Sequence, residues 1–284
     1  MLEKAGEGTF GSVFKAIDQR TDSIVAFKKI KIRKADEGLP REFLREIESL
    51  KQIKHENVIT IKEVYVGKTS INIVYPYMKY DLSKIINDIE RPFTANEILD
   101  KQELMIMTNH WDWYTHQILE RSKFDNKFIN TRWYKAPEIL FGNKYYDCKV
   151  DTWSAGCILA ELIDGAPLFP GLSDIDQISK IGSIVGSPNP YLKVTLVLLI
   201  YQAQKTDKEN HRLKFPDWER QDFQKIFKNR VLDQSMIDLC EKFLVYETQL
   251  RLTADEALNH DFFNEVQNEQ QTIQELIKEI YDQN

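Results

Sequence analysis

Residues 131–156 read TRWYKAPEILFGNKYYDCKVDTWSAG, and the order of residue types in this stretch decides the fold. Pro137 stops the chain that precedes it, and Glu138 places a carboxylate in a segment otherwise apolar enough to be buried. Asp151-Thr152-Trp153-Ser154 then starts a long apolar helix with side chains suited to capping its first turn. The expectation is a loop that turns into a buried helix. No group in it performs chemistry alone, so reacting groups have to come from elsewhere in the chain.

Composition bounds what that chemistry can be. With 284 residues, 42% hydrophobic and 29% charged, the chain can build one large domain or two smaller ones. A net charge of -6 offers no whole-chain attraction to nucleic acid or to an anionic membrane, so neither is an expected partner. Cys148, Cys157 and Cys240 lie far apart without C-x-x-C spacing, which suggests neither a zinc site nor a disulfide framework but reduced intracellular thiols. The most apolar run, residues 194–201 (VTLVLLIY), is too short to cross a bilayer, and no basic-then-apolar signal opens the chain. The expected location is the cytoplasm or nucleus.

Residues 4–30 alternate as strands separated by polar turns. The first turn reads Gly6-Glu7-Gly8-Thr9-Phe10-Gly11-Ser12-Val13, where glycines let backbone N–H groups approach phosphate oxygens with no Cβ in the way. A Gly-rich hairpin without a ligand has the same spelling, so the turn alone leaves both readings open. An apolar strand, Val25-Ala26-Phe27-Lys28, follows, and from Pro40 the pattern becomes helical, with Phe43, Leu44, Ile47 and Leu50 on one face and Glu46 among them. The basic run 28–34 (KKIKIRK) reads as an exposed strand end rather than a nucleic-acid patch. Strand patterns return at residues 58–66 and 71–77. Residues 83–100 read as a helix, a turn at Arg91-Pro92 and a second helix capped by Thr94 with Glu97 three residues on.

Ala136-Pro137-Glu138 inside W-Y-K-A-P-E, followed by D-x-W-S-x-G, resembles the end of a protein-kinase activation segment, and the wording is similar to that of the cyclin-dependent kinases, especially their cell-cycle-related and CDK-activating branches. The resemblance covers residues 3 to about 99 and 131 to about 263. It implies an α+β, two-lobed kinase fold in one kinase domain. Residues 1–77 would form a small five-stranded antiparallel N-lobe with one helix, and residues 78–284 a mostly helical C-lobe, truncated around the catalytic and magnesium loops. It implies ATP and Mg2+ as cofactors, with Gly6, Glu7, Gly8, Gly11, Val13, Ala26, Lys28, Tyr75, Tyr77 and Met78 at the nucleotide, Lys28 paired with Glu46, and Tyr75 as a bulky gatekeeper. Pro76 lacks an N–H, but Met78 carries both backbone groups that an adenine edge needs. The 40–50 helix resembles the regulatory helix that engages a cyclin-like subunit, and the substrates would be proteins. Arg251 would form a buried ion pair with Glu138, and Asp151 would hold the catalytic-loop backbone. Residues 167–171 (PLFPG) and the helix 174–185 resemble a docking surface of this group. Lys135 stands where the family has Arg, which keeps the charge but loses the planar fork that serves selection of a proline after the phosphorylated residue.

The chain departs from the family between residues 100 and 131. It contains no H-R-D, no D-L-K-P-x-N and no D-F-G, and 48 residues separate Leu82 from Thr131 where the resemblance leads one to expect roughly 75. Two readings of this stretch compete. In one, His110-Trp111-Asp112 is a degenerate H-x-D with Asp112 as the catalytic-loop Asp, Gln117 in place of the Asn and Asp125 in place of the magnesium Asp. In the other, Tyr114-Thr115-His116-Gln117 is the family's Y-T-H-[EQ], with Thr115 as the activating phosphosite displaced by the insert at 118–130 (ILERSKFDNKFIN). The second reading offers no metal ligand, and the Mg2+ ligands are left open. A deletion before Y-T-H-Q and an unrelated polar insert after it also fit a misjoined coding sequence. The expectations are therefore a family kinase with impaired catalysis, a non-catalytic nucleotide- and cyclin-binding module, or an incomplete product of an active kinase gene. Residues 194–212 depart from the family as well, and the 264–284 tail reads as a docked terminal helix, because its apolar stripe covers barely two heptads.

Overall fold

The computed structural model describes residues 1–8, 11–31, 47, 59–67, 69–78, 86, 132–143, 146–190, 216–227 and 234–265. Those up to Met78 belong to one compact unit, and Ile86 with the residues from Arg132 onward belongs to a second.

The first unit is a five-stranded antiparallel sheet in the order β1-β2-β3-β5-β4. Its strands are β1 (Glu3–Gly8), β2 (Gly11–Asp18), β3 (Ser23–Lys31), β4 (Glu63–Val66) and β5 (Ser70–Pro76). Period-2 alternation sends the β-branched residues to two faces. One face buries Ile71, Ile73 and Tyr75 against the helical residue Ile47, with Ala26, Ile30, Ile59, Ile61 and Val64 partly buried around them. The other face gathers Ala16, Val25, Val74 and Phe27. A bulge between Lys4 and Gly6 resets the β1–β2 register before the glycine turn. Strand β4 is shorter than its apolar pattern predicts. Ile59 and Ile61 alternate toward the core, but only Lys62 bonds to β5 before Glu63, donating its N–H to the Val74 carbonyl at 2.8 Å, so burial and not a ladder sets their spacing.

The second unit is helical: α1 (Pro137–Leu140), α2 (Lys149–Asp164), α3 (Asp174–Val185), α4 (Phe223–Ile226), α5 (Gln234–Phe243), α6 (Ala254–Leu258) and α7 (Asp261–Glu265). Its centre is α2, buried nearly all round, as a helix apolar on every face must be. Gly156 lets α5 come close, since a Cβ there would stand 2.6 Å from the Phe243 Cβ. The expected start of α2 at Asp151 needs correction. The helix begins two residues earlier, with Cys148 as a cap residue that makes no side-chain bond, while Asp147 Oδ1 accepts from the Lys149 N–H at 2.9 Å. Helix α3 does carry the local signal expected of a start: the Ser173 side chain accepts from the Asp176 N–H. In α6, Thr253 and Glu256 close a capping box.

Candidate active site

Cross-strand pairing collects the predicted nucleotide residues into rows on the Ile47 face of the sheet. Gly6 pairs with Val13, Val13 with Lys28, and Lys28 with Ile73. The next row runs Glu3, Lys15, Ala26, Tyr75, and the row at the glycine turn runs Gly8, Gly11, Ile30, Ile71. Paired residues of an antiparallel ladder share a face, so Val13, Ala26 and Lys28 form one contiguous patch, two small apolar side chains beside an ammonium. Glu7 pairs with Ser12, one step out of register with these rows.

This patch suits a nucleotide. No described residue lies within 4 Å of a Cβ built on Gly6, which leaves space beside the backbone there, and Lys28 stands in the same row. Gly11 answers a different need. A Cβ on it would sit 1.9 Å from the Lys29 carbonyl oxygen, so this glycine is required by the close approach of β2 to β3. Tyr75 is buried, and Tyr77 is half-buried with the Lys15 ammonium 5.0 Å from its ring centroid. Met78 is exposed. Glu46, Asp112 and Thr115 lie outside the described residues, as does the whole 101–130 stretch. Ile47, the neighbour of Glu46, is helical and packs on the same face that carries Lys28.

In the helical unit the segment after Thr131 is tied down by side chains that sequence reasoning passed over. Arg132 is buried, donating from Nε to Asp174 Oδ1 at 2.7 Å and from a terminal nitrogen to the Leu172 carbonyl at 3.3 Å. Gln177, fully buried, donates to the Trp133 carbonyl at 3.1 Å and accepts from the Gly171 N–H at 3.0 Å. The Trp133 indole N–H donates to the Gly171 carbonyl at 3.0 Å. Ser154 donates to the Tyr134 carbonyl at 2.7 Å, and the Tyr134 hydroxyl donates to Glu161 at 2.6 Å. Burial pushes the Glu161 carboxyl above its usual range, against the opposing pull of that hydroxyl. The one available signal was a glutamine and a glutamate at apolar helix positions, where a polar side chain has to have a partner.

Lys135 is half-buried, and loss of solvent lowers its ammonium below the usual range; the Arg132 charge adds to this and the Asp174 carboxylate opposes it. Glu138 and Arg251 meet in a bidentate pair, and Asp151 is enclosed with one carboxyl oxygen that has no hydrogen-bond partner among the described residues. Loss of solvent raises the Asp151 carboxyl to about 6. Among the described residues no group of His, Cys, Asp and Glu could hold a metal ion.

A five-stranded lobe with a lysine in its third strand, and a helical unit organised on A-P-E and its arginine, define the protein kinase class. The protein kinase domain family matches this chain over residues 1–120 and again over 99–263. The chain is 32% identical to cyclin-dependent kinase 1 of Encephalitozoon cuniculi, across 92% of its own length and 95% of that protein. It is 33% identical to cyclin-dependent kinase 11B of Mus musculus and 34% identical to cyclin-dependent kinase G-2 of Oryza sativa, across 93% of itself but only 36% and 41% of those longer proteins. The chain belongs to the cyclin-dependent kinase family of ATP-binding Ser/Thr protein kinases, whose members generally use ATP and Mg2+.

Proposed function

We propose that this chain binds ATP through its sheet lobe but transfers phosphate poorly or not at all. The observation that carries the first half is the row Gly6–Val13–Lys28 with Ala26 beside it, a patch that joins glycine backbone, a cation and two small apolar side chains. Gly6 and Gly8 would offer backbone N–H groups to phosphate oxygens and Lys28 its ammonium, with Glu7 contributing through its main chain. Val13 and Ala26 would cover the base, and the Met78 backbone would meet its edge.

The second half rests on residue types that phosphoryl transfer needs. The reaction requires a carboxylate to orient the hydroxyl nucleophile and metal ligands to neutralise charge between nucleophile and leaving group. The sequence contains no H-R-D and no D-F-G to provide them. In support, the alignment with the Encephalitozoon relative runs over 296 positions yet uses 92% of a 284-residue chain, so that relative carries segments with no counterpart here. Loss of one preorganised electrostatic group commonly costs roughly a hundred- to thousandfold in rate, and these groups act as a unit. A cyclin-like subunit at the 40–50 helix and protein substrates belong to the same reading, drawn from relatives named as cyclin-dependent.

The test is radiolabel transfer to Ser/Thr protein substrates by the purified chain, alone and with a cyclin, beside Asp112→Asn and Lys28→Met. No transfer above background is expected. Transfer abolished by both substitutions would establish Asp112 as the catalytic carboxylate and overturn the reading of impaired catalysis.

A further inference from the structure

We propose that Lys15 is a positioning residue of the nucleotide site, clamping the Tyr77 ring and with it the backbone that leads into Met78; this rests on the nucleotide-binding reading above. Lys15 pairs with Ala26 and faces the same side of the sheet as Val13 and Lys28, so it borders the patch that would cover the base. Its ammonium is held from two sides. Glu3, its cross-strand partner in β1, stands 3.3 Å away, and the Tyr77 ring lies beneath it at 5.0 Å. Its side chain is only 26% exposed, although a lysine at a strand surface normally extends into water.

Tyr77 needs such a clamp for a backbone reason. The last ladder pair of β5 joins Pro76 to Val25, so the sheet ends one residue before Tyr77, and Pro76 has no N–H with which to extend it. Strand alternation turns Tyr77 toward the face that carries Tyr75 and Ala26, where Lys15 waits. The Glu3 carboxylate neutralises Lys15, which is why we assign it to orientation of the base-side backbone and not to a phosphate. The chain thus has two lysines on one face in different roles, Lys28 in the glycine row and Lys15 in the row beyond Ala26.

The experiment displaces a fluorescent ATP analogue from the full chain with ATP, adenosine and inorganic tripolyphosphate, using wild type, Lys15→Met, Lys15→Arg, Tyr77→Leu and the Lys15→Met/Tyr77→Leu double variant. An exposed cation–π contact corresponds to about a three- to fivefold effect. Lys15→Met is expected to weaken ATP and adenosine by that factor while leaving tripolyphosphate unchanged, and Lys15→Arg, which also stacks on a ring, to restore both. In the Tyr77→Leu background Lys15→Met should add nothing, because its effect passes through the ring. Unchanged adenosine affinity in Lys15→Met, equal weakening of tripolyphosphate, or additive effects in the double variant each overturn the inference while ATP binding by wild type stands. Absence of ATP binding by wild type overturns the nucleotide reading and this inference with it.

Discussion

The Arg251 guanidinium meets the Glu138 carboxylate in two parallel hydrogen bonds of 2.8 and 3.1 Å, although the two residues lie 113 positions apart. The arginine side chain is fully buried and also donates to the carbonyls of Val245, Lys149 and Tyr246, with its plane 5.1 Å from the Trp153 ring. Every donor of the fork that points inward is satisfied, which is the condition under which a buried pair holds together. Removing either partner leaves a buried charge. Glu138→Gln and Arg251→Met should each cost about 3–5 kcal/mol. The double variant Glu138→Leu/Arg251→Met should recover part of this but remain below wild type by about 1–3 kcal/mol, because the Val245 and Tyr246 carbonyls lose the arginine donor while that of Lys149 keeps Thr152. Urea midpoints with an unchanged slope would report these differences.

Asp151 predicts a pH dependence of the opposite sign to that of a paired carboxylate. Desolvation raises its carboxyl from the ordinary carboxylate range to about 6. Below about 4 the folded and unfolded states both carry the proton and the group has no effect. Between there and about 6 the folded state holds the proton more tightly, so stability falls as pH rises, and above about 6 the full penalty of on the order of 2–3 kcal/mol is present. Asp151→Asn should therefore be more stable than wild type at pH 7.5 and close to it at pH 4. Paired denaturation curves at the two pH values check this, and equal differences at both would rule it out.

Gly11 is a steric requirement of the β2–β3 pair. With a Cβ 1.9 Å from the Lys29 carbonyl oxygen, the added methyl can be accommodated only by a shift of one strand. Gly11→Ala should cost about 1–3 kcal/mol in the sheet lobe. Gly6→Ala meets no described residue within 4 Å and should be nearly neutral in the absence of nucleotide. Melting temperatures of the two variants provide the comparison.

ATP should stabilise the chain weakly and with little dependence on magnesium. A dissociation constant on the order of 0.1–1 mM is expected for a glycine turn, a lysine and a base edge without metal ligands. A tenfold excess of ATP over that value adds about 1.4 kcal/mol, and Lys28→Met should remove most of it. Thermal-shift titrations with and without Mg2+ measure both effects. A large magnesium-dependent increment would reveal metal ligands, with Asp125 the first to test.

Strands β1 to β3 were legible because alternation and glycine punctuation are local, and α2 because its apolar run has no polar face to place. The start of α2 was misplaced because Asp151 spells a cap, while the actual acceptor is Asp147 just outside the helix. The limit at β4 came from the same source, since Ile59 and Ile61 repeat like a strand but are spaced by burial. At the candidate site, motif spelling identified Gly6, Val13, Ala26 and Lys28. It was silent on Lys15, whose meaning depends on Glu3 reaching it from β1 and Tyr77 from the chain just beyond β5.

By itself the sequence determined the family, the glycine turn, the strand lysine, the A-P-E segment and the lack of H-R-D and D-F-G, because each is written in consecutive residues. Tertiary structure alone decided what those residues do to one another. It made Gly11 a packing residue, joined Arg132 to Asp174 and Gln177 to Trp133, and left one Asp151 carboxyl oxygen without a hydrogen-bond partner among the described residues. The physical reason is that steric clash, desolvation and hydrogen bonding act over a few ångströms of space, and the groups that meet at that range come from distant parts of the chain.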